Sequence, residues 1–506
     1  MTHTRRLVLP LVFVSGMASL GIEFSAARLL APYFGTSLYV WGVLIGLILL
    51  YLSAGYILGG RLADRRPEAE LLFQLTAWAG LWVGVVPLVS YPILLASQRG
   101  FATVSAGLVL GTLLAVLLLF AVPVILLGCV SPFAIRLLLT DVRRGGDVAG
   151  RVYALSTAGS ILGTFLPVFW FIPSYGTRPT LVGFAAALVV ISALALWPRR
   201  RLYAAFAAVL ALTWLFLPSG IKPPQQGRLL YERDSAYNYI QVVQVGDTTE
   251  LMLNEGLAIH SEYRPDGDVG GYWPLFLVSP AFRPAGASWI SPRRVAILGL
   301  AGGTTATELT AAYPGVDVTG VEIDPALVDV ARSYFHLTQP NVHSVVADAR
   351  YWLATRAGAY DLISIDAYRQ PYIPFHLTTE EFFESVRDHL APGGVVAVNV
   401  GRTATDYRLV AAIAQTLRAV FPSVFLVDVP AWDNTVVYAS TATVSLADVT
   451  HNLQLPAPEC VEVAAQETLA SGSLRVSPYA GPPFTDDLAP VERLIDEIIF
   501  GYVTGR

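Results

Sequence analysis

The sequence predicts a multi-span α-helical membrane domain followed by an α/β domain, a Rossmann-like doubly wound sheet preceded by a small antiparallel β-domain. Composition, charge distribution and a change of hydrophobic period along the chain carry this expectation. Of 506 residues, 54% are hydrophobic and only 14% charged, against roughly 25% charged in ordinary soluble proteins. The deficit is uneven. Residues 1–218 hold 15 basic and 6 acidic side chains, and the remainder hold 18 and 32. A basic, charge-poor first part suits a bilayer flanked by cationic loops, whereas an acidic second part repels nucleic acid.

A span needs about 20 apolar residues. About seven stretches approach that length, at 8–31, 38–60, 71–96, 102–135, 152–173, 179–197 and 202–217, within a domain of 1–218. The fourth is too long for one straight helix and contains Pro123 and Pro132, which predicts a kink or an extended helix end. The seventh is short before Pro218 and reads as a span or as an interfacial or re-entrant piece. Arg5 and Arg6 give the N-terminus the look of a signal peptide, but no small-residue cleavage site follows, so a retained first span is expected. If spans alternate, the arginines at 5–6, 61–66, 136–151 and 199–201 share one side, leaving Arg99 and Arg178 on the other. That pattern sets the N-terminus in the cytoplasm. Gly42 with Gly46 and Gly55 with Gly59 predict close helix packing. Glu23 and Arg28 are ionisable groups in the first span, either functional or structurally paired.

From Arg228 to about Val278 short alternating runs flank Gly246-Asp247, a hairpin signal, giving a small β-domain over 228–280. Over 293–440 the runs RVAILGL, VDVTGVE, HSVVAD, YDLISI, GVVAVNV and VFLVDV follow, each but the last trailed by a helical pattern. This predicts parallel strands joined by helices, within a domain of 290–506. Ligands in such sheets bind beyond the strand C-termini. The first strand runs into Gly299-Leu300-Ala301-Gly302-Gly303, a turn that lets backbone approach a ligand closely. The second ends at Glu322, at the spacing of a carboxylate that accepts from ribose hydroxyls. Asp324 before Pro325 reads as a helix cap. Asp348 and Asp366 end the third and fourth strands. Three acids at successive strand ends converge on one crevice, which points to a nucleotide site. Cys129 and Cys460 form no disulfide or zinc pattern, and Lys222 is the sole lysine, which argues against P-loop and Schiff-base chemistry.

The segments GLAGG, VEIDP, ADAR, SIDAY and PFHLTTEEFF resemble the spermidine synthase family of aminopropyltransferases, specifically members fused to a multi-span membrane region. The likeness covers about residues 228–440, with TDDLAPVE near the C-terminus and RLADR in the first half also similar. It implies a class I S-adenosylmethionine-binding fold, an adenosyl sulfonium nucleotide as cosubstrate, no metal and no further cofactor. It also implies that Gly299, Gly302 and Gly303 approach the nucleotide, Glu322 holds the ribose, and Asp348 with Ala349 reads the adenine. Asp366 would take the proton of an attacking amine as 5'-methylthioadenosine leaves, with Tyr368 and His260 as further catalytic candidates. Tyr237, Asn238 and Tyr272 fall in the substrate-binding stretches.

The departures from that pattern are specific. Gly302 stands where the family carries an Asp that grips the aminopropyl ammonium, and Arg369 where a second Asp follows the catalytic one. The polyamine-receiving acidic cluster is replaced near Gly270, Gly271, Tyr272 and Trp273. A site stripped of carboxylates holds a polycation weakly, so ordinary putrescine aminopropylation is not expected. Arg369 suits the α-carboxylate that intact S-adenosylmethionine has and its decarboxylated form lacks. Alkyl transfer to an acceptor, acceptor-free cleavage by elimination or cyclisation, methyl transfer, and a transporter or sensor that only binds nucleotide all stay open. The bilayer is an expected partner; acceptor identity and a homodimer are unread. Seven crossings would set the second half outside, whereas nucleotide supply favours the cytoplasm.

Overall fold

The computed structural model describes residues 3–35, 38–100, 107–197, 201–217, 220–254, 256, 258–267, 269–368, 372–429 and 432–504. The chain divides into two compact units, Met1–Pro223 and Pro224–Arg506.

The first unit is helical: α1 (His3–Arg6), α2 (Val8–Phe34), α3 (Leu38–Arg65), α4 (Ala69–Gly100), α5 (Gly107–Gly128), α6 (Val130–Leu138), α7 (Gly145–Leu166), α8 (Ile172–Tyr175), α9 (Thr177–Leu196) and α10 (Ala205–Leu215). Among the described residues six stretches, with α5–α6 and α7–α8 each counted as one, are long and apolar enough to cross a membrane. The seventh expected span is the shorter helical stretch Arg201–Leu215. The long fourth segment breaks at Cys129, whose N–H is shared between the carbonyls of Ile125 (3.3 Å) and Leu126 (3.2 Å). Pro132 has no N–H for the carbonyl of Gly128 one turn earlier, so the helix restarts there.

Glycine placement corrects one expectation. A Cβ on Gly55 would lie 2.3 Å from the Ile125 oxygen and one on Gly59 2.5 Å from Cys129 Cα, whereas Gly42 and Gly46 meet nothing among the described residues within 4 Å. Of the two pairs, the second packs helices among the described residues. A still closer backbone approach joins α2 and α7, where Gly159 and Gly163 each sit with a would-be Cβ 2.0 Å from a backbone oxygen of α2 (Phe13 and Met17). Glu23 and Arg28 are half-buried in α2.

The second unit opens with four antiparallel strands, β1 (Arg228–Asp234), β2 (Tyr239–Val245), β3 (Thr248–Leu253) and β4 (Ile259–Tyr263). The β2–β3 turn is Gly246-Asp247, with Gly246 at φ 59°. Short α11 (Trp273–Leu277) leads to the main domain: β5 (Arg294–Leu298), α12 (Thr304–Ala312), β6 (Asp317–Glu322), α13 (Pro325–Tyr334), β7 (Val342–Val346), α14 (Ala349–Thr355), β8 (Tyr360–Ile365), α15 (Glu380–Asp388), β9 (Leu390–Gly401), α16 (Arg408–Val420), β10 (Ser423–Asp428) and β11 (Asn434–Ser440). Helices α17 (Leu446–Leu453) and α18 (Glu459–Ala470), edge strand β12 (Arg475–Val476) and α19 (Val491–Thr504) complete it. Ile240, Val242, Leu251 and Leu253 of the small sheet bury against Leu327, Val330 and Phe335 on and after α13.

The large sheet has the order β12-β10-β11-β9-β8-β5-β6-β7. Strands β9, β8, β5, β6 and β7 are parallel, and the order reverses at β5. The sheet is mixed, however, because β11 lies antiparallel between β9 and β10. Only five residues separate β10 from β11, too few for a crossover helix, so the chain turns back as a hairpin.

Candidate functional site

A cavity of about 290 Å³ opens beyond the C-terminal ends of β5, β6, β7 and β8, and the small sheet lines it with Asn238, Leu253 and His260. This is the crevice at the switch point of an open α/β sheet.

Its floor is the turn after β5. Gly299 adopts φ 96°, and a Cβ there would lie 2.4 Å from the backbone oxygen of Asp366; glycine alone lets the two loops touch. Ala301 also holds a left-handed φ of 49°, a costly conformation for a residue with a Cβ. Its N–H donates to Glu322 Oε2 at 2.9 Å. The other oxygen of Glu322 accepts from the Asp324 N–H at 3.0 Å. Glu322 is 6% exposed, and burial pushes its carboxyl up to about 7 although those N–H groups pull the other way. Asp324, fully buried, caps α13 through the Ala326 N–H (3.0 Å) and accepts from Ser235 Oγ (2.5 Å) and Asn238 Nδ2 (3.1 Å). One carboxylate thus ties the small sheet to the helix that follows β6.

Asp348 caps α14 by accepting from the Tyr351 N–H at 2.9 Å, and its second oxygen lies 3.3 Å from His376 Nε2. Arg350 on the same helix donates to the His376 carbonyl (3.1 Å) and to both oxygens of Asp486 (2.7 and 2.5 Å). The TDDLAPVE segment is thereby bound to the PFHLTTEEFF segment.

Asp366 is half-buried at the end of β8. Its Oδ1 accepts from Asn399 Nδ2 of β9 at 2.9 Å, and the Tyr272 hydroxyl also hydrogen-bonds it. Burial pushes Asp366 up to about 6, while those two donors favour its charged form. Asn399 is oriented in turn by Asn434, whose Nδ2 donates to its Oδ1 at 2.9 Å. Beyond Tyr272 stands an aromatic wall. The Trp432 ring lies 6.5 Å from Tyr272 and 6.2 Å from Trp273, and Gly271 abuts it at a would-be Cβ distance of 3.3 Å.

Nine of the residues singled out from sequence line the cavity: Tyr237, Asn238, His260, Gly299, Glu322, Asp348, Ala349, Asp366 and Tyr368. Others do not. Gly302 faces away, its N–H donating to Ser261 Oγ at 2.8 Å, and Gly303 packs on Leu337. Tyr272 is buried behind Asp366, with Gly270 and Trp273 outside the cavity lining. Arg369 lies outside the described residues. Tyr368 contributes its ring, but its hydroxyl is engaged by β9, donating to the Asn399 carbonyl (3.1 Å) and accepting from the Gly401 N–H (2.8 Å). Sequence reasoning passed over His376 and Asn399. An amide side chain inside the apolar run GVVAVNV was the available signal for Asn399.

These features define a Rossmann-like α/β domain with a half-buried acid at the end of its fourth strand. Residues 283–449 match the spermine/spermidine synthase domain. A probable polyamine aminopropyl transferase of Bifidobacterium longum is 33% identical over 295 residues, 54% of this chain and 64% of that protein. The polyamine aminopropyltransferase of Vibrio vulnificus is 32% identical over 217 residues, 40% of this chain and 69% of that protein. A crystal structure of a probable spermidine synthase from Corynebacterium glutamicum aligns with 53% of this chain and 99% of its own at 21% identity and a TM-score of 0.39. The chain belongs to the spermidine synthase family of polyamine aminopropyltransferases, and it spans about 64% of the length of its Bifidobacterium relative.

Proposed function

We propose that the protein is a membrane-bound transferase that acts on S-adenosylmethionine or its decarboxylated form and releases 5'-methylthioadenosine, and that putrescine is not its ordinary acceptor. The observation that carries this is the cavity's set of acids. Among the described lining residues the carboxylates are Glu322, Asp348 and Asp366. In this reading Glu322 accepts from the ribose hydroxyls and Asp348 with Ala349 engages the adenine, which leaves Asp366 as the single carboxylate for the reacting end. Gly302 has no side chain, so it offers no carboxylate to grip an ammonium, and its N–H donates to Ser261 Oγ.

The chemistry asked of Asp366 is modest. An acceptor amine attacks the carbon beside the sulfonium; the new C–N bond forms as the C–S bond breaks, and the electron pair leaves on sulfur as neutral methylthioadenosine. The proton of the resulting ammonium passes to Asp366. A neutral leaving group needs no general acid, so the protein supplies positioning, a base and exclusion of water. If intact S-adenosylmethionine is the donor, Arg369 is the proposed partner of its carboxylate on sequence grounds alone. The six long apolar helices support attachment to a bilayer, and the arginine distribution supports a cytoplasmic N-terminus.

Incubating the purified protein with each nucleotide and identifying the nucleoside product tests this reading. Methylthioadenosine is expected. S-adenosylhomocysteine would make it a methyltransferase, and binding without turnover would make the domain a sensor or part of a transporter. Methylthioadenosine formed at full rate without any added amine would favour acceptor-free cleavage.

A further inference from the structure

Two polar clusters mark the two ends of the helical unit. At the first, Thr4 Oγ1 donates to the Ala195 carbonyl (3.3 Å), Arg5 Nη2 to the Leu137 carbonyl (2.5 Å), and Arg136 Nε pairs with Asp64 (3.0 Å). The start of α2 and the ends of α3, α6 and α9 therefore share this end, and the arginine clusters around 5–6, 61–66 and 136 lie there. At the second, Gln98 Nε2 donates to the Tyr33 carbonyl (2.9 Å), which brings the ends of α2 and α4 together. Here the segment that leads out of the unit is also held. Tyr33 Oη donates to the Ile221 carbonyl and Lys222 Nζ to the Pro32 carbonyl, each at 3.0 Å. Arg178, at the start of α9, donates to the carbonyls of Gly220 and Ile221.

Residues 201–215 run between these ends. Tyr203 packs against the cluster of Val8, Ala63 and Phe133 at the arginine-rich end. Phe206 meets the Trp78 ring of α4 at 5.0 Å. Leu210 fills a notch at Gly84, where a Cβ would lie 2.0 Å from Leu210 Cδ2. Fifteen helical residues cover roughly 22 Å at 1.5 Å each. The six residues that follow can reach at most roughly 20 Å, and the hydrocarbon core is roughly 30 Å thick.

We infer that the seventh apolar segment completes a seventh crossing and that the chain leaves the helical unit at its arginine-poor end, so that the residues after Pro223 are carried to the non-cytoplasmic side. The inference rests on the membrane attachment proposed above. It reverses the expectation drawn from nucleotide supply. It also requires the sulfonium nucleotide to reach that face, which makes nucleotide delivery a step the catalytic cycle depends on.

The native cysteines allow a test on the full chain, since Cys129 is buried and Cys460 exposed. Spheroplasts expressing the protein are treated with a membrane-impermeant maleimide before and after permeabilisation. Labelling is run near neutral pH, where a maleimide is selective for thiols over amines. A second reporter, Arg143→Cys in a Cys460→Ser background, sits in the exposed connection before α7. The inference expects Cys460 to reach its full labelling in intact spheroplasts and the Arg143→Cys reporter only after permeabilisation. Protection of Cys460 until permeabilisation overturns the inference while leaving membrane attachment intact. Release of the whole chain from membranes by alkaline carbonate overturns the attachment itself.

Discussion

At the β5–β7 end of the cavity the acids meet mainly backbone: Glu322 accepts from the N–H groups of Ala301 and Asp324, and Asp348 from that of Tyr351, with the His376 ring also beside it. At the β8–β9 end Asp366 meets side chains instead, the amide of Asn399 and the hydroxyl of Tyr272, backed by Trp273 and Trp432. Backbone partners are supplied by the fold and change only with it. Side-chain partners can be exchanged one residue at a time. The first end holds the acids that the family resemblance leads one to expect, and the proposed departure from a polycation-holding cluster falls at the second.

The sharpest way to break this contrast is Asp366→Asn. With Asp366 as base, turnover falls by roughly 10² to 10⁴ while calorimetric nucleotide affinity stays within a few-fold, because the other end is untouched. A variant that keeps its rate removes Asp366 from the proton transfer. At the opposite end, Glu322→Gln weakens nucleotide binding by roughly 10- to 100-fold, the range of a lost charge-assisted hydrogen bond. Burial pushes the carboxyl of Glu322 up to about 7, and in the proposed role ribose hydroxyls donate to its ionised form. Wild-type affinity therefore falls as pH drops through that value, and the Gln variant loses this dependence.

A smaller effect probes the side-chain partners. Burial pushes Asp366 up to about 6, and in the proposed role it acts as a base when ionised, so the rate is expected to rise with pH through that region. Asn399→Leu removes a donor that favours the charged form, which moves the rising limb upward by about one pH unit, measured as kcat/KM against pH. An unmoved limb would separate Asn399 from the titration of Asp366. The least effect is on stability. Gly302→Ala places a Cβ 2.7 Å from Ser261 Cβ and costs about 1–3 kcal/mol by overpacking, read as a lowered Tm.

Much of this architecture is legible in the residues. Gly246-Asp247 marks its hairpin because a two-residue connection there needs a left-handed φ. The strand-end acids are readable because strand ends are fixed by the hydrophobic runs before them, and Asp324 caps its helix as the following Pro325 suggests. Strand β11 is not legible in the residues, because its place between β9 and β10 depends on pairing with β9 residues more than thirty positions away. Asn399, Tyr272 and Asp366 likewise come from three separate elements, so no local pattern joins them. The same distance explains the glycines. Gly42 with Gly46 and Gly55 with Gly59 have identical spacing, and only a neighbouring helix distinguishes them.

Composition and period by themselves determined the two kinds of region, the apolar helices, and the glycine loop with its three acids, because each is a property of consecutive residues. Tertiary structure alone decided which acids face backbone and which face side chains, where β11 inserts, and at which end of the helical unit the chain departs. Those depend on the carbonyls, rings and amides that distant segments bring within hydrogen-bond range, and sequence spacing does not encode that distance.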